Sequence, residues 1–142
     1  MANPQPKSDT VMRYLLDTCA FIWLVSDPNS LSKAALAAIE DGDNACFLSM
    51  ISCWEIITKN RSGKLDVNTQ GQPLDAFLRG RRVAHELETL AMDEQTVRHL
   101  INLPDVHRDP FDRMLICQAI EHQLVLVTPD PHIQRYPIKT LW

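Results

Sequence analysis

The sequence predicts an α/β protein, a three-layer α/β/α sandwich with a mostly parallel central sheet. Three observations carry this. Short, nearly uniform apolar runs recur at Tyr14-Leu15-Leu16, Ala45-Cys46-Phe47-Leu48 and Leu124-Val125-Leu126-Val127, as strands buried on both faces do. Segments with helical apolar spacing lie between them. A strand joined to the next through a helix needs a crossover, hence parallel pairing with helices on both faces.

The elements follow in order. Residues 13–16 are strand one and 19–25 a short apolar helix. Ser26, Asp27, Pro28 and Asn29 make a loop. Ser30 or Ser32 caps the next helix, whose stripe is Leu31, Ala35, Ala38 and Ile39 and whose stop is Asp41-Gly42. Residues 45–48 are strand two. Ser49 caps a helix with a face of Ile51, Trp54, Ile56 and Ile57, ended by Gly63. Residues 68–73 are loop, with Pro73 in a first turn. Residues 74–85 are a helix with Leu74, Phe77, Leu78 and Val83 inward and Arg79, Arg81 and Arg82 outward. Residues 87–91 are strand three. Asp93 opens a helix carrying Val97, Leu100 and Ile101. A polar loop punctuated by Pro104 and Pro110 leads into a helix with Phe111, Met114, Leu115, Gln118 and Ala119 at helical spacing. Residues 124–127 are strand four, 128–131 a turn and 138–142 a last short strand.

The bulk numbers narrow the class. A chain of 142 residues suits one domain with a proper core. Hydrophobic residues at 45% and charged residues at 23% exclude the disordered and collagen-like classes. No apolar run approaches the roughly 18 residues needed to span a bilayer; a cytoplasmic protein is expected. Residues 1–11 are polar, contain Pro and lack the apolar stretch of a secretory signal. They read as a disordered extension to a single domain over 12–142. Cys19, Cys46, Cys53 and Cys117 form no C-x-x-C pair and no zinc spacing, so free thiols are expected. A net charge of -4 argues against a simple basic-patch nucleic-acid binder.

Ligands of open α/β sheets bind outside the carboxyl ends of the strands. Asp17 follows strand one and Asp130 follows strand four, so both belong at that edge. Asp112 lies in the first turn of the helix that Pro110 starts, and Glu55 about one turn into the helix after strand two. Helices of a parallel sheet begin where strands end, so all four carboxylates can meet in one crevice. They cannot all stay ionised there without a counterion. An all-oxygen donor set suits Mg²⁺ or Mn²⁺, which bind through a few carboxylates plus substrate phosphate. Metal-dependent hydrolysis of nucleic acid is the reaction class that follows.

Each motif also has a plain reading. Asp17 serves as an N-cap, Asp112 complements a helix dipole, Asp130 is a turn residue, and Glu55 with Lys59 is an i, i+4 surface pair. The joint topology favours the functional reading. So does the apolar setting of Glu55, between Cys53-Trp54 and Ile56-Ile57.

Four blocks, Leu15-Leu16-Asp17-Thr18, Trp54-Glu55-Ile56, His107 through Ala119 with its Asp109-Pro110-Phe111-Asp112-Arg113 centre, and Leu126-Val127-Thr128-Pro129-Asp130, resemble the PIN domain. More narrowly, the chain resembles the VapC type of ribonuclease toxin from type II toxin–antitoxin systems, from Met12 to Trp142. The resemblance implies an α/β/α nuclease that binds Mg²⁺ or Mn²⁺ and cuts RNA. It implies Asp17 and Asp112 as principal metal ligands, Glu55 and Asp130 completing the cluster, and Thr128 as an assisting hydroxyl. Asp109, Arg113 and Lys59 are supporting candidates. It also implies a homodimer and a cognate antitoxin. Pro129 stands where related sequences commonly have Arg, and Cys19 where a polar residue is usual.

RNA affinity is expected from Lys59, Arg61, Lys64, Arg108 and Arg113, although a solvated charged surface explains most such residues. No His is assigned to catalysis, though His107 lies close to the acidic block. Trp23, Trp54 and Phe21 read as core or dimer surface. A receiver domain needs an adjacent acidic pair, and a dehalogenase-like phosphatase a second Asp at position 19, which is Cys. A non-catalytic PIN-like module binding RNA or protein, and a housekeeping RNA-processing nuclease, are the alternatives.

Overall fold

Five short strands carry the apolar runs: β1 (Arg13–Leu16), β2 (Ala45–Ser49), β3 (Glu88–Leu90), β4 (Val125–Val127) and β5 (Thr140–Leu141). They form one sheet in the order β3-β2-β1-β4-β5, with every pairing parallel. The structure, a computed structural model, describes residues 11–142. The expected extension over 1–11 lies, except for Val11, outside the described residues. Among the described residues six helices connect the strands: α1 (Thr18–Ser26), α2 (Lys33–Glu40), α3 (Met50–Arg61), α4 (Leu74–Ala84), α5 (Glu94–Arg98) and α6 (Pro110–His122).

Strand side chains alternate between two cores, as the period of two requires. Tyr14, Leu16, Cys46, Leu48 and Val127 pack with Phe21 and Leu24 of α1, Ala35 and Ile39 of α2, and Phe77 and Leu78 of α4. Leu15 and Leu126 point the other way, to Leu115, Ile116 and Ala119 of α6 and to Ile133 and Tyr136. Leu15, Leu16 and Leu126 are completely buried, each contributing on the order of 2 kcal/mol of burial. α3 places Ile56 in the first core and Ile51 in the second.

Several local expectations shift. Ser32, not Ser30, caps α2, its Oγ accepting from the Ala35 N–H at 3.0 Å. Pro28–Ser30 is a 3-10 turn rather than plain loop. Pro73 is the N-cap of α4, one position before the first turn. α5 is short and runs into a 3-10 turn over His99–Asn102. Trp54 and Ile57 are not part of the buried face of α3, which is Ile51, Ser52, Glu55 and Ile56; Trp54 is 58% exposed and so is not core. Val83 is exposed because it falls on the far side of α4 from Phe77 and Leu78. Val97 and Ile101 are exposed as well, Ile101 because it lies on the tighter 3-10 turn, where the phase of the stripe changes. Arg81 and Arg82 are half-buried rather than outward, bonded to His85 Nε2 at 3.1 Å and to the Leu87 carbonyl at 3.4 Å. All four cysteines are free thiols. Among the described residues no helix is long and apolar enough to cross a membrane.

Candidate metal centre

Asp17 stands where β1 stops. Its N–H donates to the Val127 carbonyl at 3.0 Å, one residue past the paired strand. Its Oδ1 accepts from the Ala20 N–H at 2.7 Å, so it is also the N-cap of α1. The capping role and a place in the crevice are therefore compatible. Thr128 follows β4 and is completely buried. Its hydroxyl bonds the Asp17 carboxylate and accepts from the Asp130 N–H at 3.0 Å. One hydroxyl thus ties the two strand-end carboxylates together. Asp130 Oδ1 accepts in turn from the His132 N–H at 2.8 Å.

The helices bring the rest. Ser49 caps α3 through the Ile51 N–H at 3.0 Å, and α3 then carries Glu55 to the crevice with 5% exposure. Glu55 Oε2 pairs with Lys59 one turn on, the predicted i, i+4 pair, with the Glu55 end buried and the Lys59 end reaching solvent. Glu55 Oε1 is buried without a hydrogen-bond partner among the described residues. Asp109 is the N-cap of α6, accepting from the Asp112 N–H at 3.0 Å. Asp112 Oδ2 meets His107 Nε2 at 3.1 Å.

Asp17, Glu55, Asp109, Asp112 and Asp130 line one open cleft of about 500 Å³, with Lys59 and Lys64 among its other walls. Pro129 and Cys19 line it too. Burial, reinforced by Asp112 and Asp130, pushes the Asp17 carboxyl up to about 7 against its bonds to Thr128 and Ala20. Burial and the charges of Asp109, Glu55 and Asp130 push Asp112 up to about 6, against the His107 hydrogen bond. The Cys19 thiol rises to about 11, first by burial and then by the same carboxylates; it is no thiolate nucleophile. The Lys59 ammonium is raised, chiefly by its bond to Glu55.

These residues fit a divalent cation. Glu55 Oε1 lacks a partner among the described residues, and an unpaired buried carboxylate oxygen is costly. Two further carboxyls are held above their ordinary range, first by burial and then by the neighbouring carboxylates, and a cation would offset both. Ligand atoms of His107, Asp112 and Asp130 lie within 4.8 Å of one another.

Some candidates are placed elsewhere. Arg113 is not on the cleft: its Nη1 donates to the Pro104 carbonyl at 2.8 Å and to Tyr136 Oη at 2.9 Å, and its Nη2 faces Asp105 at 3.4 Å. Its guanidinium is engaged in holding the 103–109 loop and is poorly placed to meet RNA. Arg108 borders a neighbouring hollow with His107 and Asp105, and Arg61 is exposed at the end of α3. Sequence reasoning left His107 unassigned and missed Tyr136. The signal for His107 was its position five residues before Asp112. Tyr136 had none, since its contact spans 29 residues.

Four likenesses bear on this arrangement. Ribonuclease VapC22 of Mycobacterium tuberculosis is 29% identical over 132 residues, covering 90% of this chain and 97% of that protein. A crystal structure of VapBC2 from Rickettsia felis, bound to a promoter DNA fragment, superposes with a TM-score of 0.68 at 16% identity, covering 92% of this chain and 98% of that one. VapBC-1 from nontypeable Haemophilus influenzae gives a TM-score of 0.62 at 19% identity, over 92% and 97% of the two chains. The family model for the PIN domain matches residues 14–139. With its wholly parallel sheet and an acidic cleft at the strand ends, this chain belongs to the PIN domain family.

Proposed function

We propose that this protein is a divalent-cation-dependent endoribonuclease and the toxin of a toxin–antitoxin pair. The observation that carries the proposal is the convergence of Asp17, Glu55, Asp112 and Asp130, from four separate segments, on one cleft. The likeness to Ribonuclease VapC22 and to the VapBC structures supports the substrate and the antitoxin partner. Mg²⁺ or Mn²⁺ is the cation an all-carboxylate donor set prefers, and the cytoplasm is the compartment.

Asp17 and Asp112 are the principal ligands, with Glu55 and Asp130 beside them. When bound, the cation supplies positive charge to the attacked phosphate and makes nearby water a stronger acid. Thr128 holds Asp17 and the Asp130 backbone in one register. Lys59 offsets the charge of Glu55, and Lys64 offers an ammonium to the RNA backbone at the cleft wall.

Purified protein should cut a labelled RNA pool with Mn²⁺ or Mg²⁺ and stop in chelator. Asp112→Asn should lower the rate at least about a hundredfold with the fold retained, in line with losing a transition-state interaction of a few kcal/mol. An active Asp112→Asn variant would reject the site. The exposed stripe of Met50, Trp54 and Ile57 on α3 supports the homodimer. Trp54→Glu should shift the sedimentation profile to monomer; an unchanged profile would remove this stripe from the interface.

A further inference from the structure

His107 has two ring nitrogens, and both are committed. Nε2 lies 3.1 Å from Asp112 Oδ2 and Nδ1 lies 2.9 Å from Tyr136 Oη. Which nitrogen carries the proton decides whether His107 can be a ligand, since a protonated nitrogen has no lone pair to give.

The Tyr136 hydroxyl answers this by counting. A phenol oxygen accepts two hydrogen bonds and donates one. Arg113 Nη1 donates to it at 2.9 Å, and a guanidinium has no acceptor role. The His107 N–H donates to it at 3.3 Å, and a peptide N–H has none either. Both lone pairs are taken, so the one remaining proton points outward. Its two targets are His107 Nδ1 at 2.9 Å and the His107 carbonyl at 3.4 Å. The shorter contact wins, Nδ1 accepts, and the ring proton sits on Nε2. The surroundings are rigid. Tyr136 is buried, Arg113 is also anchored on the Pro104 carbonyl, and the His132 ring stacks on His107 with centroids 5.7 Å apart.

We propose that Tyr136 and Arg113 lock His107 as the Nε2–H tautomer, making it a positioning residue that holds Asp112 rather than a metal ligand. This rests on the cation-centre reading above. Its consequence is selectivity. The three ligand atoms of His107, Asp112 and Asp130 are close enough to form a mixed nitrogen–oxygen site, which would suit Zn²⁺. With the imidazole lone pair turned to Tyr136, only carboxylate oxygens remain, and hard cations are favoured.

The test is a long-range ¹H–¹⁵N imidazole spectrum of the full chain in chelator at about pH 8, where free imidazole is neutral. His107 should show a bare Nδ1 and a protonated Nε2, and adding Zn²⁺ should leave that pattern in place. Tyr136→Phe removes the lock, so Zn²⁺ should now shift Nε2 and bind roughly tenfold tighter, while Mn²⁺ affinity stays within about threefold. His107→Gln keeps an N–H at the same reach and should retain Mn²⁺ affinity; His107→Leu should lose about tenfold. A wild-type ring protonated at Nδ1, Zn²⁺ ligation by wild-type His107, or equal losses in the Gln and Leu variants would each overturn the proposal. Failure to cut RNA would instead strike the ribonuclease reading, because these spectra and titrations need no substrate.

Discussion

Asp17 carries two demands at once: it caps a helix and it sits 3% exposed among other acids. Its carboxyl rises from an ordinary 3.8 to about 7, mainly through burial. A raised value means that the fold prefers the protonated form. The stability from that preference is fully present below about pH 4 and is lost as pH rises through about 7. In chelator the protein should therefore unfold at lower temperature at pH 8 than at pH 5. The rise from 3.8 to about 7 caps the effect at about 4 kcal/mol. Asp17→Asn keeps a side-chain acceptor for the Ala20 N–H and should flatten the slope. Thermal unfolding of both proteins in chelator measures this, and parallel slopes would remove Asp17 as its source. The residue was legible in the sequence because an acid directly after an apolar strand has few other places to go. The relay from Arg113 through Tyr136 to His107 was not legible, because it closes only when the chain after β4 folds back over the 103–109 loop.

At the scale of the element, α3 and α6 explain which expectations held. Hydrophobic spacing placed α6 well: its apolar residues and its start at Pro110 both agree with the core. α3 was located well but rotated wrongly. The expected face of Ile51, Trp54, Ile56 and Ile57 assumed that apolar residues turn inward, and only Ile51 and Ile56 do so. Beside them the helix buries Ser52, whose Oγ accepts from the Thr18 hydroxyl at 3.0 Å, and Glu55, in place of Trp54 and Ile57. Two polar residues on the inner face push Trp54 to the surface. A period reading cannot see this when the buried face is partly functional. α6 supplies the prediction at this scale. Asp109 both lines the cleft and caps α6. Asp109→Ala should lower stability by about 1 kcal/mol through the lost cap. Asp109→Asn keeps a capping oxygen. If Asp109 acts only as a cap, the Asn variant cleaves RNA as wild type does; a large loss of rate with stability intact would make its charge part of the centre.

For the whole molecule, the strand order puts β1 at the centre, with β2 on one side and β4 on the other. The chain's direction across the sheet reverses there, and the crevice opens at the carboxyl ends beside that reversal. Asp17 and Asp130 end the two strands that flank it, so the topology concentrates negative charge at one point. The net charge of -4 is smaller than the number of acids gathered in that cleft. The fold therefore carries a local electrostatic cost that a bound cation offsets, and stability should be linked to metal. At a hundredfold excess over its dissociation constant, Mn²⁺ should stabilise the protein by about 2.7 kcal/mol, raising the unfolding temperature by roughly 8 °C for a domain of this size. The increment should grow with pH, because protons on Asp17 and Asp112 compete with the metal. Asp17→Asn and Asp112→Asn should each lose most of the increment. In chelator above about pH 7 Asp17→Asn should match or exceed the wild type in stability, since a buried repulsive charge has been removed. Wild-type protein whose unfolding temperature ignores Mn²⁺ across this range would mean that the crowded carboxylates hold protons rather than a cation.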